Sequence, residues 1–88
     1  MKIKFEGHKQ AQAHKEDIFG GVALYSYNTL VAEVRYGWLK IYGLYSMTTR
    51  RHIGWFMKEL GLDYQTAKYL YQNYKTMNVE TKRVKDWA

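Results

Sequence analysis

The chain has 88 residues, of which 47% are hydrophobic and 17% aromatic, and it carries a formal net charge of +6 with no cysteine and no proline. A chain of this length forms about one small domain stabilised by a compact core, and the lack of cysteine excludes disulfides and thiolate metal sites. The basic balance favours polyanions or an acidic protein surface as partners, although basic residues also serve solubility alone.

The amino-terminal twenty residues give weak structural signals. MKIKF predicts a short edge strand, residues 8–19 (HKQAQAHKEDIF) suit a helix without a clear apolar stripe, and residues 1–20 are a candidate flexible segment. No apolar run here is typical of a signal peptide, and no stretch of the sequence reaches the ~20 apolar residues of a membrane span. We therefore expect a cytoplasmic protein with no membrane partner.

Three strands are predicted between Gly20 and Gly43. VALYSY follows the Gly20–Gly21 break and reads as a strand, with Asn28 offering a turn. In the next segment one apolar face alternates with a mixed one, as a half-buried strand requires: Leu30, Ala32, Val34 and Tyr36 against Val31, Glu33 and Arg35. Gly37 can supply a tight reversal into WLKIY, which predicts a three-stranded antiparallel meander with the amino-terminal segment as a fourth strand.

Two helices follow Gly43. Apolar residues at i, i+3, i+4 and i+7 predict a helix over about 48–60, with Ser46 or Thr48 as the cap and Gly61 at its end: Ile53, Phe56, Met57 and Leu60. Asp63 can cap a second helix whose apolar stripe repeats that spacing: Ala67, Leu70, Tyr71 and Tyr74. Residues 77–88 lose the apolar period and are predicted to form a flexible tail, with docking of Val79, Val84 and Trp87 as the alternative.

The predicted fold class is therefore α+β: a three- to four-stranded antiparallel meander followed by two short packed helices. Residues 1–88 are expected to form a single small domain, because no internal repeat, low-complexity stretch or composition shift divides them. The two helices are joined by only about three residues, so they must pack closely or cross sharply.

The segment YSMTTRR at the start of the first helix holds hydroxyl and arginine side chains. Backbone N–H groups at a helix start attract anions, and hydroxyl and guanidinium groups can bind a phosphate's oxygens: Ser46, Thr48, Thr49, Arg50 and Arg51. The alternative is capping alone, the commoner role of such hydroxyls. Cations in a first turn oppose the helix dipole at a cost of roughly 0.3 to 1 kcal/mol each, which an external anion would relieve.

Neither a metal site nor a catalytic group is predicted. His52 lacks metal-ligand partners at suitable spacing and is expected to be hydrogen-bonded, orienting the loop before the helix. Gly54 is unusual inside a helix, where it costs about 1 kcal/mol relative to alanine. No nucleophile, base and orienting group occur at credible spacing, so we expect a protein that is not an enzyme and has no cofactor.

Residues 56–73, FMKELGLDYQTAKYLYQN, resemble the helix-turn-helix of small DNA-binding repressors. In this interpretation Gly61 lies in the turn, Ala67 and Leu70 point inward, and Gln65 is the best candidate for reading an adenine edge. The side chains that would face the major groove are Tyr64, Gln65, Thr66, Lys68 and Tyr69. Met57 departs from the motif, which usually has a small residue at that position.

A second pattern, SYNTLVAEV followed by YSMTTRRHIGWFMKELG, resembles a recurrent pattern in small uncharacterised bacteriophage proteins. The matching residues are Tyr27, Asn28, Thr29, Val31, Ala32, Tyr45, Ser46, Thr48, Thr49 and His52. The resemblance implies a phage or prophage origin, hence the host-cell cytoplasm, and carries no established activity. Phage accessory proteins of this size often occupy a host machine, CRISPR nucleases included, so an inhibitor is expected by analogy.

These observations favour two hypotheses of function. The first is binding of nucleic acid or a nucleoprotein assembly through a basic helical surface, formed by Ser46, Thr48, Thr49, Arg50, Arg51, Lys58, Gln65, Lys68 and Lys75. The alternative is an anti-CRISPR-like inhibitor of a host defence factor, acting by direct protein contact through the aromatic anchors Trp38, Trp55 and Tyr69. An exposed edge strand and additional aromatics are compatible with a homodimer.

Overall fold

The computed structural model describes residues 2–4 and 13–87, and they form one antiparallel sheet with two helices. The seven strands follow one another in chain order across the sheet, and both helices are inserted between the fifth and sixth strands. The elements are β1 (Lys2–Lys4), β2 (Ala13–Ile18), β3 (Gly21–Ser26), β4 (Thr29–Arg35), β5 (Trp38–Ile41), α1 (Met47–Glu59), α2 (Tyr64–Gln72), β6 (Lys75–Asn78) and β7 (Val84–Asp86).

The predicted α+β class is confirmed, but the sheet has more strands than the three or four expected. Residues 13–18, which suited a helix, form β2, and the predicted tail contributes β7 and the second half of β6. Hydrophobic alternation could not reveal β7, because all three of its residues are exposed. The flexibility predicted for 1–20 and 77–88 stays a prediction, and residues 5–12 lie outside the described part of the chain.

A β-bulge changes the expected alternation in β4. Leu24 is opposite Ala32 while Tyr25 is opposite Leu30, so Val31 is an extra residue in the β3–β4 ladder. A bulge breaks the two-residue period, and as a result Val31 and Ala32 are both fully buried. The predicted alternation of apolar and mixed positions is therefore interrupted at Val31 and Ala32.

The reversal between β4 and β5 occurs at Tyr36 and Gly37. Both residues have a positive φ, 51° and 83° respectively, and the predicted role of Gly37 is confirmed. The interpretation of Tyr36 as part of the apolar face of the strand was wrong. Tyr36 is 65% exposed because it belongs to the turn, where its ring packs over the backbone of Gly20.

Helix α1 begins and ends close to the predicted bounds. The Ser46 hydroxyl accepts a hydrogen bond from the Thr49 N–H at 3.2 Å, so Ser46 rather than Thr48 is the cap. Gly61, with φ +76°, follows the helix in the left-handed conformation that such ends favour. The predicted apolar positions Ile53, Phe56 and Met57 are buried.

Helix α2 begins after Asp63, whose carboxylate accepts a hydrogen bond from the Thr66 N–H at 2.9 Å, as predicted for a cap. Ala67 and Leu70 are fully buried. The predicted stripe was wrong at its last member, because the helix ends at Gln72. Tyr74 lies beyond that end with φ 54° and is 67% exposed.

Both helices cover one face of the sheet, and the core lies between them. The core joins Leu24, Leu39 and Ile41 of the sheet with Phe56 of α1 and Leu70 of α2. Because neighbouring residues of a strand point to opposite faces, the residues between these core positions face away from the helices. Within the described residues, neither helix is long and apolar enough to cross a membrane.

Candidate nucleic-acid interface

A buried polar network joins the start of α1 to the end of β3. The Ser26 hydroxyl lies 2.7 Å from Nδ1 of His52 and 3.2 Å from the Thr49 hydroxyl, which is itself 3.3 Å from the Ser46 hydroxyl. Ser26, Thr49 and His52 are at most 5% exposed. A buried polar group is costly without a partner, so these mutual bonds hold the start of α1 against the end of β3.

The network shows that two of the hydroxyls in the predicted phosphate site have structural roles. Ser46 caps the helix backbone, and Thr49 is buried with its hydroxyl bonded to neighbours, so neither is positioned as a free phosphate donor. His52 is hydrogen-bonded as expected, but its partner is on β3 rather than in the preceding loop. Thr48 is half-buried, and the exposed members of the cluster are the capping residue Ser46 together with Arg50 and Arg51.

The Ser26–His52 pair has the separation of a nucleophile and its base, but it lacks access to a substrate. Ser26 is 2% exposed and His52 is 1% exposed. A nucleophile must reach the reacting atom directly, and the core encloses this one. In the network, His52 therefore positions α1 rather than activating Ser26.

Burial, followed by the nearby positive charge of Arg51, lowers the pKa of His52 below its usual 6.5. As the pH falls through 6.5, His52 is protonated in the unfolded chain, and it is protonated in the folded protein only at a lower pH. The contribution of neutral His52 to the free energy of unfolding is therefore fully present above about pH 7. Below about pH 6.5 it is expected to fall by up to about 1.4 kcal/mol per pH unit, until the folded pKa is reached.

The measurement is urea unfolding at several pH values for the wild type and for His52→Asn. Asparagine cannot titrate, and its side-chain oxygen can still accept a bond from Ser26. The variant is expected to be less stable than the wild type at pH 8 and to lose less stability between pH 6.5 and pH 5. Parallel pH curves for the two proteins would contradict a buried neutral His52.

The exposed cations of α1 lie along its outward side. Arg50, Arg51 and Lys58 are exposed, and none of them pairs with a carboxylate of residues 13–87. Arg51 and Lys58 are seven residues apart, which places them about 20° apart around the helix and about 10.5 Å apart along it. They face away from the buried side, where Ile53 and Phe56 pack.

Helix α2 also carries exposed polar residues. Gln65, Lys68 and Tyr69 are exposed, and Lys68 has no carboxylate partner in the described segments. Two other side chains that the helix-turn-helix interpretation directs at a DNA groove are engaged within the protein. Tyr64 packs against the core, and the Thr66 hydroxyl donates to Asp63 at 3.0 Å.

Other predicted site residues lie elsewhere or are neutralised. Lys75 forms an ion pair with Asp86, which raises the pKa of Lys75 and neutralises its charge locally. Trp55 packs on the core with its ring 5.3 Å from that of His52. Tyr69 is half-exposed on α2, whereas Trp38 lies on the sheet face opposite the helices. The structure therefore does not bring the three predicted aromatic anchors together.

Sequence reasoning missed a cleft on that opposite sheet face. It has a volume of about 270 Å³ and is bordered by aromatic, charged and hydroxyl side chains. They are Glu33, Arg35, Tyr36, Trp38, Lys40, Thr76, Lys85, Asp86 and Trp87. The one available signal was the presence of Lys85 and Trp87 in residues 77–88, a segment predicted to be a tail.

Two residues that border this cleft, Glu33 and Arg35, belong to a hydrogen-bonded group of three. The Tyr42 hydroxyl donates to Glu33 at 2.6 Å, and Arg35 donates to the other carboxylate oxygen of Glu33 at 3.1 Å. Burial and the Glu33 carboxylate raise the pKa of Tyr42 to about 12, so its hydroxyl stays protonated at neutral pH. The negative charge of Glu33 is therefore held by two internal donors.

The fold and these surfaces define a small α+β protein that has an antiparallel meander, two helices on one face and exposed cations on both faces. The chain belongs to the family of unknown function DUF8033, whose profile matches residues 1–73. No curated protein and no solved structure matches the chain. The match includes both helices, whereas β6 and β7 follow it. The phage and helix-turn-helix resemblances stay expectations.

Proposed function

We propose that this protein binds nucleic acid, alone or within a nucleoprotein assembly, through the outward cations of its two helices. The interface consists of Arg50, Arg51 and Lys58 on α1 together with Lys68 on α2. The observation that supports it most is the exposure of Arg51 and Lys58 on one side of α1 without a carboxylate partner in residues 13–87. Thr49 and Lys75 are left out of the interface because they are engaged within the protein.

Phosphate contacts by four cations imply a definite salt dependence. Each phosphate neutralised in duplex DNA contributes a slope of about −0.9 to the dependence of log affinity on log salt. Four contacts give a slope of about −3.6, so raising the salt from 50 to 200 mM is expected to weaken binding about 150-fold. A solubility role for the same cations predicts no such binding.

The test is to neutralise the α1 stripe in Arg51→Gln/Lys58→Gln. Glutamine has nearly the helix propensity of arginine and lysine, so α1 should be retained. We expect the salt slope for duplex DNA to become shallower by about 1.8, with weaker binding across unrelated sequences. Fluorescence anisotropy of a labelled duplex at several salt concentrations measures both quantities.

The matched control is Lys82→Gln/Arg83→Gln, which removes the same charge from the exposed β6–β7 connection. If the helical surface is the interface, this control keeps the wild-type slope. Equal losses in both double variants would show a general effect of net charge. A wild-type titration that does not respond to salt would overturn the proposal.

The alternative proposal, inhibition of a host defence factor by protein contact, is supported by Tyr69, which is 50% exposed on α2. Tyrosine provides amphipathic contact area at low entropic cost and is enriched at protein interfaces. A pull-down from nuclease-treated host lysate separates the two proposals. Loss of every partner favours nucleic acid, whereas one protein retained by the wild type and lost by Tyr69→Ala favours the inhibitor.

A further inference from the structure

The cleft on the uncovered sheet face combines features that the proposed function does not use. It lies on the opposite side of the sheet from the helical cations, and its walls come from β4, β5, β6 and the carboxyl-terminal segment. Pockets for drug-sized ligands have volumes of roughly 300 to 1,000 Å³. At about 270 Å³ the cleft suits a smaller planar group, with the rest of its ligand in solvent.

Two indole rings form the apolar part of the cleft. The Trp87 ring N–H donates to the carbonyl of Lys75 at 2.9 Å, and its ring meets that of Tyr74 edge-on at 5.6 Å. Trp38 is held in β5, where its backbone is paired with that of Asn78. The Trp87 ring is therefore fixed before any ligand arrives, which lowers the entropic cost of stacking on it, whereas strand pairing fixes only the backbone of Trp38.

Lysine ammonium groups lie over both indole rings. Nζ of Lys85 is 4.1 Å from the centre of the Trp38 ring, and Nζ of Lys40 is 4.6 Å from the centre of the Trp87 ring. Neither lysine pairs with a carboxylate of residues 13–87. An exposed cation–π contact is weaker than base stacking on an aromatic ring, so a base can replace the ammonium.

The charges of the cleft select an anion. The two acids on its walls are already paired, Glu33 with Arg35 and Asp86 with Lys75. Lys40 and Lys85 then supply the unpaired charge, and it is positive. A cationic ligand would be repelled by the ammonium groups that already occupy the ring faces, whereas a phosphate would attract them.

The unsatisfied hydroxyl of Thr76 is the observation that points most directly to a ligand. Its hydroxyl is buried, with no hydrogen-bond partner, in a residue that is 7% exposed and borders the cleft. An unsatisfied buried hydroxyl is costly, and native proteins contain few of them. A ligand with a hydrogen-bonding edge, such as a base, would satisfy it.

We propose that this cleft binds one nucleotide unit of a single-stranded nucleic acid. The base stacks on Trp38 or Trp87 and bonds to Thr76, while Lys40 and Lys85 leave the rings to pair with the flanking phosphates. Stacking requires an unpaired base, so duplexes are excluded from the cleft. The assignment goes beyond the proposed function, because it concerns the opposite face and holds whether or not the helical cations bind DNA.

The experiment compares the wild type with Thr76→Val and Trp38→Leu, using a labelled single-stranded oligonucleotide at low salt and fluorescence anisotropy. Valine has nearly the shape of threonine, so its fold should be at least as stable as the wild type. We expect each variant to bind the strand about 10-fold more weakly. The affinity of these variants for a duplex of the same sequence should be unchanged. When Thr76→Val is added to the helical variant Arg51→Gln/Lys58→Gln, it should weaken binding of the strand by the same factor as it does in the wild type.

Each remaining outcome counts against the proposal. No binding of the strand by the wild type, or equal affinity in the wild type and both variants, would overturn it. A mononucleotide that competes as well as the strand would assign the cleft to free nucleotides instead. A lower Tm in Thr76→Val would show that the hydroxyl has an internal partner in the folded protein.

Discussion

Replacing Phe56 by alanine is expected to lower the free energy of unfolding by about 3 to 5 kcal/mol. Phe56 is 1% exposed and lies in the core cluster between α1 and the sheet. Its removal takes away apolar burial and leaves a cavity that the surrounding strands can close only in part. An 88-residue domain has a total stability of about 4 to 13 kcal/mol, so the loss is a large share of the whole.

The loss can be measured by urea unfolding followed through tryptophan fluorescence. The control is Met47→Ala on the same helix, where the side chain is 79% exposed. A change of that kind at the surface is expected to alter stability by less than about 0.5 kcal/mol. Equal effects of the two substitutions would contradict the placement of the core on this side of α1.

The helices were predictable because their signals are local. Core residues three and four positions apart identify the buried side of α1, and Ser46 and Asp63 are side chains that favour helix starts. Each of these rules involves residues within two turns of one another. The predicted helix over 48–60 therefore differs from the observed one by only one residue at each end.

The sheet was less predictable because its strands depend on distant partners. In β2 only Ala13 is buried, so its burial pattern resembles no regular alternation. Its pairing with β1 and β3 defines it as a strand. In β4 the extra residue Val31 interrupts the two-residue period, and a sequence pattern cannot show where a bulge occurs until the partner strand is known.

The candidate surfaces follow the same division. The exposed cations of α1 could be predicted from helical spacing, whereas the hydrogen bond of Thr49 could not, because its partner Ser26 is 23 positions away. The cleft combines residues from Glu33 to Trp87 and depends on the return of the chain to the sheet after α2. Rules based on neighbouring residues predict none of these contacts, because they arise from strand pairing and from the packing of distant segments.

Gly21→Ala is expected to destabilise the protein by about 3 kcal/mol, at the upper end of what overpacking usually costs. A methyl group at this position would lie 1.8 Å from the backbone carbonyl oxygen of Val34. A strand backbone cannot yield as a side chain does, so relief of the clash requires β3 and β4 to separate. Gly21 is opposite Arg35, and Val22 is opposite Val34, so the change affects the end of this ladder.

The matched control is the same substitution at Gly54, where the expected effect has the opposite sign. A methyl group at Gly54 would meet no atom within 4 Å. In the interior of a helix, alanine is more stable than glycine by about 0.8 to 1 kcal/mol. Gly54→Ala should therefore stabilise the protein, and urea unfolding of both variants measures the difference. A stabilised Gly21→Ala would mean that β3 and β4 approach each other less closely than this pairing requires. A destabilised Gly54→Ala would mean that another part of the protein occupies the open space beside α1.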